Sequence, residues 1–118
     1  MSESDIYLSV VIPVYNEEES LVALHQSLTE ALAGMERNYE LIFFDDGSRD
    51  SSYSVLQDLL ARDEHVREVR LRRNYGQTAG FSAGIDRARG EVIVTIDADL
   101  QTDPADIPRL LAKFEEGH

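Results

Sequence analysis

The sequence predicts an α/β fold in which a parallel sheet of about four strands is flanked by helices in the order βαβαβαβα. Three observations predict it: short apolar runs, helical repeats between them, and polar segments directly after the runs. The runs are nearly continuous in apolar residues, which is typical of strands buried on both faces of a parallel sheet. They span Tyr7–Ile12, Glu40–Phe44, Val66–Leu71 and Glu91–Ile96. This alternation requires right-handed crossovers and helices that cover the sheet.

The first two helices are predicted from apolar residues that recur at helical spacing. A spacing of three or four residues puts such side chains on one face of a helix. In the first helix this face consists of Leu21, Leu24, Leu28, Leu32 and Met35. In the second helix it consists of Val55, Leu56, Leu59 and Leu60. Both faces are expected to pack on the sheet.

The third and fourth helices are predicted from their apolar residues and their end signals. Ala79, Ala83 and Ile85 mark the third, which is expected to end at Gly90, a favoured C-terminal cap. The fourth is expected to begin with Asp103 as N-cap and Pro104 as its first helical residue. Its buried stripe is predicted to contain Ile107, Leu110, Leu111 and Phe114.

Composition limits the classes of function open to this chain of 118 residues, which we expect to form one domain, residues 1–118. It contains no cysteine, so a metal must be held by oxygen atoms or by His25, His65 or His118. We expect His25 and His65 to be surface histidines rather than ligands. The net charge of −12 argues against a general nucleic-acid-binding surface.

The ends of the chain lead to three further expectations. The N-terminal segment Met1–Ile6 is acidic and polar, unlike a signal peptide, and no run approaches the roughly 20 apolar residues of a membrane span. We therefore expect a cytoplasmic location. The chain stops after the fourth helix without a closing strand, so we expect it to be the N-terminal portion of a longer enzyme. An open sheet edge would also allow self-association into a homo-oligomer.

Ligands of open α/β sheets bind beyond the carboxyl ends of the strands, so the segments that follow the strands are where a site is expected. After the first strand comes Pro13–Glu19. Here Tyr15 offers a flat ring for a base, and Glu17 offers an acceptor. The alternative is a helix start in which Asn16 is the cap and the glutamates favour the positive end of the helix dipole.

The second strand is followed by the adjacent carboxylates of Asp45 and Asp46. Two neighbouring carboxylates are costly to hold unless they are solvated, hydrogen-bonded or close to a cation. Either one can accept hydrogen bonds from a base N–H or a ribose hydroxyl. The alternative is an acidic turn through Gly47 and Ser48 that leads into a helix cap.

The fourth strand is followed by the sharpest signal, Asp97-Ala98-Asp99-Leu100-Gln101. Carboxylates two residues apart point the same way from an extended segment, and Gln101 continues that period. Such oxygen ligands suit Mg²⁺ or Mn²⁺, which can in turn clamp a diphosphate. An Asp-x-Asp triplet alone is a weak signal, and its position at a strand end beside two other polar strand ends strengthens it.

Around the end of the third strand, Arg70, Arg72 and Arg73 form the one basic cluster, which either faces a phosphate or is a solvated strand end. Arg73 or Asn74 could also reach a diphosphate or a sugar. The glycines that follow at spacings of four favour close helix packing over a phosphate cradle. The chain contains neither a Gly-x-x-x-x-Gly-Lys loop nor a Gly-x-Gly-x-x-Gly turn after a strand. A P-loop nucleotidase and a dinucleotide-binding fold are therefore disfavoured.

Four motifs in this order resemble the family 2 glycosyltransferases: LSVVIPVYNEEESL, DDGSRDSS, RNYGQTAGFSAG and DADLQTDPADIPRLL. The likeness runs from Leu8 to about Phe114 and is greatest to the polyprenyl-phosphate branch. The resemblance implies a GT-A fold, of which this chain is the nucleotide-binding half. It also implies roles for individual residues. The nucleotide would contact Pro13, Tyr15, Asn16, Glu17, Asp45, Asp46 and Asp97, and the metal and diphosphate would lie at Asp97, Asp99 and Gln101.

The resemblance further implies a metal-dependent, inverting transfer of a hexose from a UDP- or GDP-sugar to a polyprenyl phosphate at the membrane surface. Asp97 and Asp99 would carry the catalytic metal, Mg²⁺ or Mn²⁺. Two alternatives remain open: a donor-binding module without turnover in isolation, and a transferase with a saccharide acceptor. A phosphoacceptor signalling domain has a similar length and alternation. It would need a lysine at the end of a late strand, whereas the only lysine, Lys113, falls in the last predicted helix.

Overall fold

The computed structural model describes residues 6–14, 18–35, 37–46, 52–71, 85–96 and 106–116. Within these ranges the chain forms four strands and three helices of more than one turn. In chain order they are β1 (Ile6–Val14), α1 (Glu18–Leu32), β2 (Asn38–Asp46), α2 (Ser52–Arg62), β3 (Val66–Leu71), β4 (Val92–Thr95) and α3 (Ile107–Glu116). A single helical turn at residues 85–87 precedes β4.

The four strands form one sheet in the order β3-β2-β1-β4, and every neighbouring pair is parallel. The predicted four-stranded parallel sheet is therefore confirmed. β1 and β2 lie at its centre and pair along almost their whole length, from Ile6↔Asn38 to Val14↔Asp45. Their apolar residues are buried on both faces of the sheet, as the continuous apolar runs predict.

The larger core lies on the face of the sheet that the three helices cover. Alternate β1 residues from Leu8 to Val14 point into it and meet the apolar stripes of the helices. The stripe of α1 is buried as predicted, with Leu21, Leu24 and Leu28 wholly inaccessible to solvent and Leu32 1% exposed. Burying a leucine side chain contributes about 1.5–3 kcal/mol, so this stripe strongly stabilises the packing of α1 on the sheet.

The opposite face carries a smaller apolar cluster with a charged cluster beside it. Val11, Ile42, Phe44 and Val69 form the apolar part, and Ala88 packs against it. Ser9 and Glu40 pair with each other on the same face, two residues before the paired Val11 and Ile42. The segment just before β4 therefore covers part of this face.

Several predicted boundaries and burials differ from the structure. Leu60 is 39% exposed and Ile85 is 42% exposed, so neither belongs to the buried face of its helix. The helical turn before β4 ends at residue 87, short of the cap predicted at Gly90. β4 is also shorter than predicted, and Ile93 is 41% exposed, so this strand is not buried on both faces. The start predicted for α3, at Asp103 and Pro104, lies outside the described residues.

Candidate functional site

The carboxyl ends of all four strands lie at the same edge of the sheet, because every pair is parallel. Val14, the last residue of β1, pairs with Asp45, and Asp46, the last residue of β2, pairs with Leu71 of β3. On the other side of β1, the Ile96 N–H donates to the Val11 carbonyl at 3.1 Å, one residue past β4. The chain therefore leaves β1, β2 and β4 toward the same side of the molecule.

The strand order creates a switch point between β1 and β4. From β1 the chain moves outward through β2 to β3, and it then returns across the sheet to place β4 on the opposite side of β1. Connections on the two sides of such a point lead away from each other and leave a crevice at the carboxyl edge, where open α/β sheets bind ligands. At this edge the switch point lies between Val14, the last residue of β1, and Ile96, which directly follows β4.

Three of the predicted site residues lie in strands rather than in loops, which corrects the sequence-based assignment. Pro13 is the next-to-last residue of β1 and pairs with Phe44, and its side chain is half-buried. Asp45 and Asp46 are the last two residues of β2, and Asp45 is fully buried. Strand pairing extends further than the apolar runs because the neighbouring backbone continues to offer hydrogen-bond partners.

The other predicted site residues fall outside the described residues. They are Tyr15, Asn16 and Glu17 after β1, and Asp97, Asp99 and Gln101 after β4. The roles assigned to them stay predictions. Among the described residues, no group of three or more histidine or acidic side chains is arranged to hold a metal ion.

A buried ionic cluster on the sheet is the main polar feature that sequence reasoning missed. Glu40 of β2 is 2% exposed and accepts hydrogen bonds from Ser9 Oγ at 2.5 Å and from Arg67 Nη1 at 2.9 Å. It also accepts from Arg89, through the backbone N–H at 2.7 Å and through Nε and Nη2 at 3.1 and 3.0 Å. A signal was present, since Glu40 is an acidic residue at the start of a predicted buried strand, and such a residue is buried only with partners.

These contacts shift the acidity of Glu40. Burial alone would raise the pKa of its carboxyl, but the hydrogen bonds from Ser9, Arg89 and Arg67 outweigh burial and hold that pKa below its ordinary value. Glu40 is therefore a carboxylate at neutral pH and carries a negative charge beneath two arginines.

A second polar cluster contains both histidines of the described chain. Asp63, directly after α2, is bonded at 2.8 Å to His25 Nε2 of α1 and at 2.8 Å to His65 Nδ1. The ring of His65 stacks on Tyr39 with centroids 4.2 Å apart. The expectation of a surface histidine is wrong for His25, whose side chain is only 17% exposed, whereas the side chain of His65 is 36% exposed. Both are engaged by protein groups and lie away from the carboxyl edge.

The open parallel sheet and its switch point define an α/β protein of the kind that binds ligands at the carboxyl ends of its strands. A family model described as glycosyl transferase family 2 matches residues 9–118. The chain therefore belongs to the glycosyl transferase family 2, and the predicted family is confirmed.

Relatives in this family agree with the polyprenyl-phosphate branch that the motifs predict. The undecaprenyl-phosphate 4-deoxy-4-formamido-L-arabinose transferase of Shewanella sediminis is 48% identical over 113 residues, which are 95% of this chain and 34% of the relative. The transferase of the same name from Proteus mirabilis is 48% identical over 94% of this chain and 34% of its own length. The chain thus spans about one third of the length of these relatives.

Solved structures confirm the fold. A crystal structure of Staphylococcus aureus TarS 1-349 superposes with a TM-score of 0.72 at 21% identity, over 96% of this chain and 33% of that chain. The mannosyltransferase PcManGT of Pyrobaculum calidifontis, in complex with GDP-Man and Mn²⁺, gives 0.69 at 21% identity, over 78% of this chain and 27% of its own. These neighbours are GT-A glycosyltransferases, so the predicted GT-A fold is confirmed.

Proposed function

We propose that this chain is the donor-binding part of a glycosyltransferase that moves a sugar from a UDP- or GDP-sugar to a polyprenyl phosphate at the membrane surface. The observation that carries the proposal is the switch point between β1 and β4, and in the sequence acidic residues end β2 and closely follow β1 and β4. The named sugar of the relatives is an arabinose derivative, a pentose, so the proposal is widened from a hexose to a glycosyl group.

The proposed donor site uses different chemistry at each strand end. Tyr15, after β1, provides a ring on which the base stacks, and Glu17 accepts from the nucleoside. Asp46, the last residue of β2, accepts from a base N–H or a ribose hydroxyl. The buried position of Asp45 suits a supporting role rather than direct contact with the nucleoside.

The residues after β4 fit a hard divalent cation. Asp97, Asp99 and Gln101 offer only oxygen donors, which is the ligand type that Mg²⁺ and Mn²⁺ prefer. When bound there, the cation supplies charge neutralisation to the nucleoside diphosphate that leaves. The acceptor phosphate is already anionic, so the reaction requires no strong general base from this part of the chain. Attack by that phosphate on the face opposite the leaving group inverts the anomeric carbon.

The test is thermal unfolding of the 118-residue chain with UDP, GDP, ADP or CMP, each with and without Mn²⁺. A ligand that binds only the native state stabilises it by about 2.7 kcal/mol at a hundredfold excess over its Kd. We expect a metal-dependent rise in Tm with UDP or GDP, and its loss in Asp99→Asn. The matched control is Asp106→Asn, which removes an exposed carboxylate before α3 and should leave the rise unchanged. Absence of a rise with every nucleotide would refute the donor site.

We propose that sugar transfer requires a chain as long as those of the relatives. The chain corresponds to about one third of their length, so we expect it to bind donor without transferring sugar by itself. Incubation with a UDP- or GDP-sugar and a polyprenyl phosphate tests this. Formation of glycosylated lipid by the 118-residue chain would show that it already contains an acceptor site.

A further inference from the structure

The backbone immediately before β4 is held by side chains from the centre of the sheet. Glu40 Oε2 accepts the Arg89 N–H at 2.7 Å, and Ser9 Oγ accepts the Gly90 N–H at 2.8 Å. Ser9 Oγ in turn donates to the same Glu40 oxygen at 2.5 Å. Two consecutive amides that lead into β4 are therefore fixed by one residue of β1 and one of β2.

Charge and shape reinforce this attachment. Glu40 Oε1 pairs with Arg67 of β3 and with the side chain of Arg89, and Arg67 Nη1 also donates to the Arg87 carbonyl at 2.8 Å. A Cβ at position 90 would lie 2.7 Å from the Ser9 backbone nitrogen and 2.8 Å from the Leu8 carbonyl carbon. Only glycine allows the chain to approach β1 this closely.

Besides this attachment, β4 has one half-buried face, through which Val92 and Val94 pack against the larger core. It has four residues, lies at the edge of the described sheet and pairs there with β1 from Leu8↔Val92 to Val11↔Thr95. Its exposed Ile93 contributes little burial. A slip of one residue would turn Val92 and Val94 away from the larger core, which opposes the slip. Neither residue is fully buried, so the anchored amides at positions 89 and 90 add to the specification of the register.

We propose that Glu40 is a positioning residue: by holding the entry to β4 it fixes the register of β4 on β1, and so sets where Asp97 and Asp99 emerge at the carboxyl edge. Asp97 follows the last β4 residue, Thr95, by two positions, so a shift at the entry is carried directly to it. The part of this inference that concerns Asp97 and Asp99 rests on the proposed function.

The first test measures register directly. Amide hydrogen exchange, followed by NMR on the 118-residue chain, reports the Ile96 N–H that donates to Val11 and, as a reference far from Glu40 in the sequence, the Asp63 N–H that donates to the Leu59 carbonyl. In Glu40→Gln we expect protection of the Ile96 amide to fall about tenfold relative to that of the Asp63 amide, the size expected for losing roughly one hydrogen bond to a charged group. Equal protection ratios in Glu40→Gln and wild type would overturn the proposal.

The second test measures binding. With Mn²⁺ and whichever of UDP and GDP binds wild type, we expect Glu40→Gln to weaken binding about tenfold, at a temperature where circular dichroism shows both proteins folded. The control is Leu56→Val, a core change in α2 on the opposite face of the sheet, which should leave Kd within about twofold. An equal loss in the control would mean that general destabilisation is responsible, and the proposal would fail.

If Glu40→Gln does not fold, the exchange measurement is made on Ser9→Ala instead. It removes the hydroxyl between Glu40 and the Gly90 N–H but leaves both arginines on Glu40. We expect the same local loss of Ile96 protection, and unchanged protection would contradict the proposal. If wild type binds no nucleoside diphosphate, the proposed function fails, whereas the exchange comparison still decides whether Glu40 fixes the register of β4.

Discussion

At the scale of single residues, Asp63 shows how one carboxylate joins separate elements. It is bonded to His25 of α1 and to both the ring and the backbone N–H of His65, just before β3. Burial would raise the pKa of Asp63, but the hydrogen bonds from His65 and His25 outweigh burial and hold that pKa below its ordinary value. Asp63 is therefore ionised in the folded chain at neutral pH and stabilises the junction of α1, α2 and β3.

We expect Asp63→Asn to destabilise the chain at pH 7 by about 1–3 kcal/mol, because the amide group cannot accept from all three donors. Urea unfolding at pH 7 measures the change. The control is Asp58→Asn, whose carboxylate forms an exposed pair with Arg62 and should change stability by less than about 1 kcal/mol. Equal effects of the two substitutions would contradict a special role for Asp63.

The ionisation of Asp63 also predicts that the effect of Asp63→Asn on the unfolding free energy depends on pH. Because the folded-state pKa of Asp63 lies below the ordinary value of 3.8, its stabilisation is present above that value and is lost as the pH falls through the folded pKa. The difference in unfolding free energy between wild type and Asp63→Asn should therefore narrow as the pH is lowered from about 5 toward 2. A difference that stays constant over this range would contradict the assignment.

The sequence gives least information on the hydrogen-bond and ion-pair partners of single residues. Glu40 meets partners 31, 27 and 49 positions away, and these pairs depend on strand order and register. The predicted apolar run begins at Glu40, but nothing in the run indicates which cations lie across the sheet. The edge of the sheet at which a site is expected was easier to predict, since strand ends converge in a parallel sheet, whereas the roles of the residues at that edge stay predictions.

At the scale of elements, α1 is held by a stripe that faces the sheet. Leu28 is fully buried in the larger core, whereas Val22 of the same helix is 49% exposed. We expect Leu28→Ala to cost about 2–5 kcal/mol, through lost burial and the cavity that remains. Val22→Ala should be neutral or slightly stabilising, because alanine has the higher helix propensity and little burial is lost. Urea unfolding of the two variants checks the difference, and similar losses would mean that α1 is oriented otherwise.

The bounds of an element were predictable where the burial of apolar residues determines them and less predictable where strand pairing does. The bounds of β3 match its apolar run, and those of β1 and β2 extend beyond theirs. Pro13, Asp45 and Asn38 join strands because the neighbouring backbone is in register with them, and pairing can include polar residues at strand ends. β4 is the opposite case, since its apolar run predicts a strand that is buried on both faces. Among the described strands it pairs only with β1, and it has four residues of alternating exposure.

At the scale of the whole molecule, the strand order and the net charge are the two features that matter most. The order β3-β2-β1-β4, with every pair parallel, places the carboxyl ends of all four strands at one edge of the sheet. The chain carries 23 acidic and 11 basic side chains, a net charge of −12. Among the described residues, no helix has the length and apolar character needed to cross a membrane.

This charge predicts how stability responds to salt. Raising NaCl from about 10 to 150 mM shortens the Debye length from roughly 30 to 8 Å, which screens repulsion between exposed carboxylates across the molecule. The pairs of Glu40 with Arg67 and Arg89 are partly buried and are screened less. We therefore expect Tm to rise by about 4 °C, the shift that corresponds to roughly 1 kcal/mol in a domain of this size. Choline chloride at matched ionic strength, with a chelator present, separates screening from cation binding and should give the same rise. A fall in Tm would mean that exposed attractive pairs, such as Arg62 with Asp58, outweigh the net repulsion, because salt screens these pairs more than it screens the buried cluster around Glu40.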